Sequence, residues 1–198
     1  MCLVAVEDEL SAAVVRRILA KYVVRLGVPQ VVGQVGVGFL KTNLKKYLNA
    51  AKNIRPVFML TDLDLVSCAP VLVRNWFEGD NLPSRFLFRV AVREVEAWLL
   101  ADREAFGRYL GMSSAKIERN VETIVEPKEY LLNLAKGSKL AVRRELLPEQ
   151  GAIASQGFGY NSSLCRFVEL DWSPERASDN SLSLRRALTR TESWVNQL

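Results

Sequence analysis

Pro56-Val57-Phe58-Met59-Leu60-Thr61-Asp62-Leu63-Asp64 is the segment of this chain that most clearly sets its fold class. Its apolar run has no polar alternation, which is the pattern of a strand buried on both faces, as in a parallel sheet covered by helices. It ends in two acids one residue apart. Working outward, Leu3-Val4-Ala5-Val6 is a second short apolar run, and Val31-Val32 begins a third that Gly33, Gly36 and Gly38 break into a loop. Between them, 11–26 carries Val14, Val15, Ile18, Leu19 and Tyr22 at helical spacing, and 40–51 places Leu44, Tyr47 and Leu48 on one side of a second helix. Downstream, 69–77 reads as helix, 85–92 as a strand rich in Phe and Val, and 94–109 as one continuous helix. Strands alternating with helices predict βαβ units, right-handed crossovers and an α/β fold. The sheet is expected to be mostly parallel and Rossmann-like, flanked by helices, over residues 1–110.

Residues 111–198 differ in texture. Helical segments are predicted near 113–121, 127–136, 139–147, 163–169 and 182–196, with no convincing strand. Ser173-Pro174-Glu175 supplies a cap with proline at the first helical position. This half reads as a helical extension packed on the core, the whole forming one compact domain.

Composition narrows the chemistry. Of the 198 residues none is histidine, which removes Ser-His-Asp and Cys-His catalysis and the commonest zinc ligand. Three cysteines, Cys2, Cys68 and Cys165, are too few and too scattered for a disulfide framework or a zinc knuckle. Hard oxygen ligands without imidazole favour Mg2+ or Mn2+. No apolar run is long enough to cross a membrane, and the opening MCLVAVEDEL is too short and acidic for a secretory signal. The expected setting is the cytoplasm. A net charge of +5, with basic pairs such as Arg16-Arg17, Lys45-Lys46, Arg143-Arg144 and Arg185-Arg186, suits a polyanion without demanding one.

Three strand ends are acidic: Glu7-Asp8-Glu9, Asp62-Leu63-Asp64 and Glu94-Val95-Glu96. Parallel strands bring those ends to one edge, where ligands of open α/β sheets bind. In an extended segment Asp62 and Asp64 point the same way. Like charges so gathered repel unless a cation neutralises them. Against this stands helix capping, which any one of these acids could serve, Asp8 and Glu9 above all. Trp98 reads as core. Lys128 begins a helix after proline and is the best-placed lysine for a developing phosphorane charge, with a plain surface role as the alternative. Asp102 could face the site or end an apolar stripe. The first turn of the last helix, ahead of Arg185 and Arg186, could take phosphate or simply be solvated.

Two resemblances arise. Val6-Glu7-Asp8-Glu9 and Leu60-Thr61-Asp62-Leu63-Asp64-Leu65 are similar to the acidic pocket and phosphoacceptor turn of response-regulator receivers, but no fifth strand ending in lysine is apparent. More closely, a glutamate after strand one, a DxD after a later strand and acids beyond resemble the TOPRIM pattern of topoisomerases, primases and OLD-type nucleases. Glu94-Val95-Glu96-Ala97-Trp98-Leu99-Leu100-Ala101-Asp102 resembles the ExEAWLLAD signature of a TOPRIM-like bacterial family of unassigned function. The likeness continues through Glu126-Pro127-Lys128, Gly159-Tyr160-Asn161 and Ser181-Leu182-Ser183-Leu184-Arg185-Arg186-Ala187. It implies a Mg2+-dependent nuclease acting on DNA or RNA, with Glu7, Asp62, Asp64 and Glu96 as metal ligands and Glu94 or Asp102 as further ones. It also implies an ATPase partner protein in a phage-defence setting; the chain has no P-loop of its own. Two positions depart from the pattern: Asp8 stands where TOPRIM proteins often have glycine, and Ser11 where OLD-type nucleases carry an acid. An accessory subunit of an ATPase, without catalysis, is the alternative those departures support.

Overall fold

The computed structural model describes residues 1–78 and 81–198. Its four strands, β1 (Leu3–Val6), β2 (Gln30–Gly33), β3 (Val57–Asp62) and β4 (Phe86–Ala91), form one sheet in the order β2-β1-β3-β4, parallel throughout. Consecutive elements run α1 (Glu9–Leu19), α2 (Val23–Leu26), α3 (Val37–Thr42), α4 (Leu44–Asn53), α5 (Ala69–Phe77), α6 (Val95–Ala101) and α7 (Arg103–Leu110). Then follow α8 (Pro127–Ala135), α9 (Leu140–Leu146), α10 (Tyr160–Leu170), α11 (Pro174–Ser178) and α12 (Leu182–Gln197). No described helix is long and apolar enough to cross a membrane.

β3 is buried from Val57 through Thr61 because it lies between β1 and β4 with helices on both faces. Its side chains alternate between two apolar clusters. Phe58 and Leu60 join Val4, Val6, α1, α6 and the later helices in one, while Val57 and Met59 join Ala5, Leu40, Leu72 and Phe88 in the other. The first cluster runs from Cys2 to Val195, so the C-terminal helices share a core with the sheet. Phe58 meets Trp194 of α12 edge to face, with ring centroids 6.3 Å apart. The expected βαβ alternation is present. The sheet ends at β4 among the described residues, with α12 packed against that strand, and the lysine-bearing fifth strand of a receiver has no place in it.

Several helices are shorter than their apolar spacing suggests. The segment 11–26 is α1, a 3-10 turn at Ala20–Tyr22, and α2. The segment 40–51 begins inside α3 and is broken at Asn43, where α4 takes over. The segment 94–109 divides at Asp102, whose φ of −82° and ψ of 65° leave the helical region. The predicted helix at 113–121 is a pair of 3-10 turns, Ser114–Lys116 and Val121–Thr123. Apolar period persists across such breaks because the chain keeps facing the same core, and period alone does not register a lost backbone hydrogen bond.

Candidate metal and phosphate site

The C-terminal edge of the sheet carries the acids. Asp8 caps α1, its Oδ1 accepting from the Ser11 N–H at 2.7 Å, so the capping alternative holds for this residue. Glu7, one residue earlier, turns inward. Its Oε1 accepts the Thr61 hydroxyl and the Asp62 N–H, the latter at 3.0 Å. Burial raises the Glu7 carboxyl; the two hydrogen bonds counter that, and Asp64 and Asp8 add to it. Beside it, β2 can follow β1 only because Gly33 has no side chain: at φ 96° a Cβ there would lie 2.4 Å from the Val6 carbonyl oxygen. The loop beyond closes on Glu7, with the Gly36 N–H donating to its carbonyl at 2.9 Å.

Asp62 ends β3, half-buried, and its Oδ1 is shut from solvent with no hydrogen-bond partner among the described residues. Burial pushes its carboxyl well above the ordinary aspartate value, and the charges of Glu96, Glu7, Asp8 and Asp64 push it further. Asp64 does not continue the strand: its φ of 50° is left-handed, as is the 67° of Arg93 opposite. The two are tied together, Asp64 N–H to Arg93 carbonyl at 2.9 Å and Arg93 Nη1 to Asp64 carbonyl at 3.4 Å. Each left-handed non-glycine residue costs about 1–2 kcal/mol, and such strain gathers at functional sites. The extended geometry expected to align Asp62 with Asp64 is therefore replaced by a kink, and both still line one cavity.

Glu94 caps the neighbouring helix: its Oε2 accepts the Lys128 N–H at 2.8 Å, at the start of α8. Burial raises its carboxyl, that bond lowers it, and Asp64 raises it again. Glu96 lies in the first turn of α6 at 7% exposure. Burial pushes it up to about 7, although the Tyr160 hydroxyl donates to its Oε1 at 2.9 Å. Lys128 Nζ sits 5.2 Å from the Tyr160 ring centroid, so this lysine borders the acids through a cation–π contact.

Other expected members lie elsewhere. Asp102 is 2% exposed and takes a two-pronged bond from Arg176, at 3.1 and 2.8 Å, plus the Ser173 N–H at 2.9 Å. It joins α6 to α11 and has no carboxylate oxygen left for an ion. Trp98 is fully buried, donating to Ser183 Oγ at 2.8 Å, as its reading as core predicts. The first turn of α12 is already occupied by an acid, because Glu122 accepts from the Ser183 N–H at 2.6 Å, and Arg185 is spent on the carbonyls of Ser178 and Asp179. Of the two readings left open for this turn, phosphate binding and plain solvation, the first is disfavoured by these bonds. All three cysteines are free, and burial pushes the thiols of Cys2 to about 11 and Cys165 to about 12, so neither is a thiolate at neutral pH.

Thr61, Tyr160 and Lys41 were not found from sequence as parts of the site. Thr61 and Tyr160 stand within the resembling stretches, but their role as partners of Glu7 and Glu96 is tertiary and carries no local signal. Lys41 of α3 lines the same cavity as Asp62 and Asp64, and its charge offsets the burial that raises Asp64. Among the described residues no three acidic or thiol groups form a closed ligand set as they stand. The hydrogen bonds explain this: Glu7 is drawn to Thr61, Glu94 to α8 and Glu96 to Tyr160. The fit to a cation rests on Asp62, whose buried, unpartnered oxygen in a field of like charges needs either a proton or a metal ion.

No protein-family model matches the chain, and no curated protein matches it. Among solved structures, the C-terminal region of the Burkholderia pseudomallei OLD protein is similar, with a TM-score of 0.41 and 17% identity over 94% of this chain and 98% of that one.

Proposed function

We propose that this protein is a divalent-metal-dependent nuclease, with Asp62 and Asp64 as the core of its metal site and Glu7, Glu94 and Glu96 as the acids that complete it. The observation that carries this reading is the Asp62 carboxylate oxygen, buried without a partner where four other acids raise its proton affinity. Bound there, Mg2+ or Mn2+ would supply Lewis acidity toward a phosphodiester oxygen. The chain's own groups support the rest. Thr61 fixes Glu7 and Tyr160 fixes Glu96, while Lys128, beside Tyr160, and Lys41, in the cavity of Asp62 and Asp64, are cations available for phosphate charge. Glu96, titrating near neutrality, is suited to hold or release a proton at its Oε2.

The test is cleavage of single- and double-stranded DNA and RNA with Mg2+ or Mn2+. Asp62→Asn with Asp64→Asn is expected to lower it by roughly a hundredfold or more. Undiminished cleavage by that variant contradicts the proposal.

A second reading is favoured by Ser11. It is 3% exposed with its N–H on Asp8, so no carboxylate stands at the position where OLD-type nucleases carry one. On that reading the chain is a non-catalytic subunit of an ATPase, in keeping with the phage-defence setting implied by the ExEAWLLAD resemblance. Stable complex formation with an ATPase, and no cleavage under any divalent metal, would decide for it.

A further inference from the structure

The cavity lined by Asp62 and Asp64 has a second wall that carries no acid. It measures about 120 Å³, room for several waters, and is closed by Lys41 of α3 and by Asn75 and Trp76 of α5 over an apolar floor that includes Leu72. Lys41 Nζ lies 5.3 Å from the Trp76 ring centroid. It is exposed and makes no ion pair among the described residues. Trp76 in turn is braced by Phe88 of β4, with centroids 5.3 Å apart, so the indole is a fixed seat for the ammonium. A cation held beside two carboxylates without pairing to them is poised for an anion that the carboxylates alone would repel. Mg2+ sites are commonly built from one or two carboxylates plus the oxygens of a substrate phosphate, which matches an acid set that is open as it stands.

We propose that the cleft between α3 and α5 is a phosphate subsite in which Lys41, seated on Trp76 and flanked by Asn75, holds a phosphate of a nucleotide or polynucleotide against the ion carried by Asp62 and Asp64. This rests on the metal-site reading above and names the group that completes it. Phosphate and Mg2+ then bind cooperatively, each strengthening the other.

Trp76 is itself the reporter. The other three tryptophans, Trp98, Trp172 and Trp194, are at most 5% exposed, whereas Trp76 is half-buried at the cleft. The experiment titrates the full chain, following tryptophan fluorescence, with inorganic phosphate, AMP and a short phosphorothioate oligodeoxynucleotide, each with and without Mg2+. The expected result is a saturable change that Mg2+ strengthens, that Trp76→Phe abolishes, and that Lys41→Ala weakens by about tenfold or more while Lys41→Arg largely restores it. Tighter binding of the oligonucleotide than of AMP assigns the phosphate to a polynucleotide; equal binding assigns it to a free nucleotide. An unchanged affinity in Lys41→Ala, with Mg2+-dependent cleavage intact, overturns the subsite and leaves the nuclease reading standing. A Lys41-dependent signal indifferent to Mg2+ and to Asp62→Asn keeps the phosphate on Lys41 and overturns its coupling to the metal.

Discussion

Glu96 sits where its charge is least welcome: in the first turn of α6, 7% exposed, among Asp62, Glu94 and Asp8, and pushed from the ordinary 4.5 to about 7. Glu7, Asp62, Asp64 and Glu94 are raised in the same direction, burial leading in each case. A carboxyl with a raised folded-state pKa keeps its proton in the native chain where the unfolded chain has lost it. Stability therefore falls as pH rises from the unfolded value to the folded one and levels above it. For Glu96 that window runs from 4.5 to about 7 and is worth up to roughly 3 kcal/mol. In metal-free buffer the urea midpoint is expected to drop across this window, and Glu96→Gln to flatten the drop. A midpoint that climbs over the same range would show that these acids are not buried together. At this scale the sequence reveals the acids themselves, because each follows an apolar run. It does not reveal Thr61, Tyr160 or Lys41, which reach the site from β3, α10 and α3 through tertiary contacts alone.

The helices were legible as apolar period and their interruptions were not. α5 falls at Ala69–Phe77, the bounds read from the sequence, and the structure adds Pro70 in its first turn. The long helix predicted over 94–109 breaks because Asp102 leaves the helix to meet Arg176 and the Ser173 N–H, a partner set more than seventy residues away in the chain. The last residue of the ExEAWLLAD stretch is thus a brace between α6 and α11. Trp98 gives the same impression, its ring nitrogen on Ser183 and its carbonyl accepting from Trp172 at 3.0 Å. Asp102→Ala should cost about 2–3 kcal/mol in urea unfolding, the value of a charged hydrogen-bonded set whose arginine is free to return to solvent. Divalent-ion affinity, measured by calorimetry on the folded variant, should stay unchanged. A lost ion site at preserved stability would return Asp102 to the ligand set.

Across the whole molecule, a parallel sheet in the order β2-β1-β3-β4 sends Glu7, Asp62 and the Glu94–Glu96 turn to one edge, so the gathering of acids follows from topology. That much follows from strands ending in acids. The directions of the side chains depend on the left-handed kinks at Asp64 and Arg93 and on hydrogen bonds from α8 and α10, which strand pattern cannot convey. The helices of the second half share the core of the sheet from Cys2 to Val195 and deliver Lys128 and Tyr160 to the acids. The proposed chemistry stands on a cation at Asp62. Its most direct test is anomalous scattering from a crystal of the protein soaked in Mn2+. The expected result is a manganese peak bonded to Asp62 and Asp64 at about 2.0–2.3 Å, with oxygen ligands only. A map without a peak at Asp62, at manganese concentrations that fill other acidic sites in the same crystal, would contradict it.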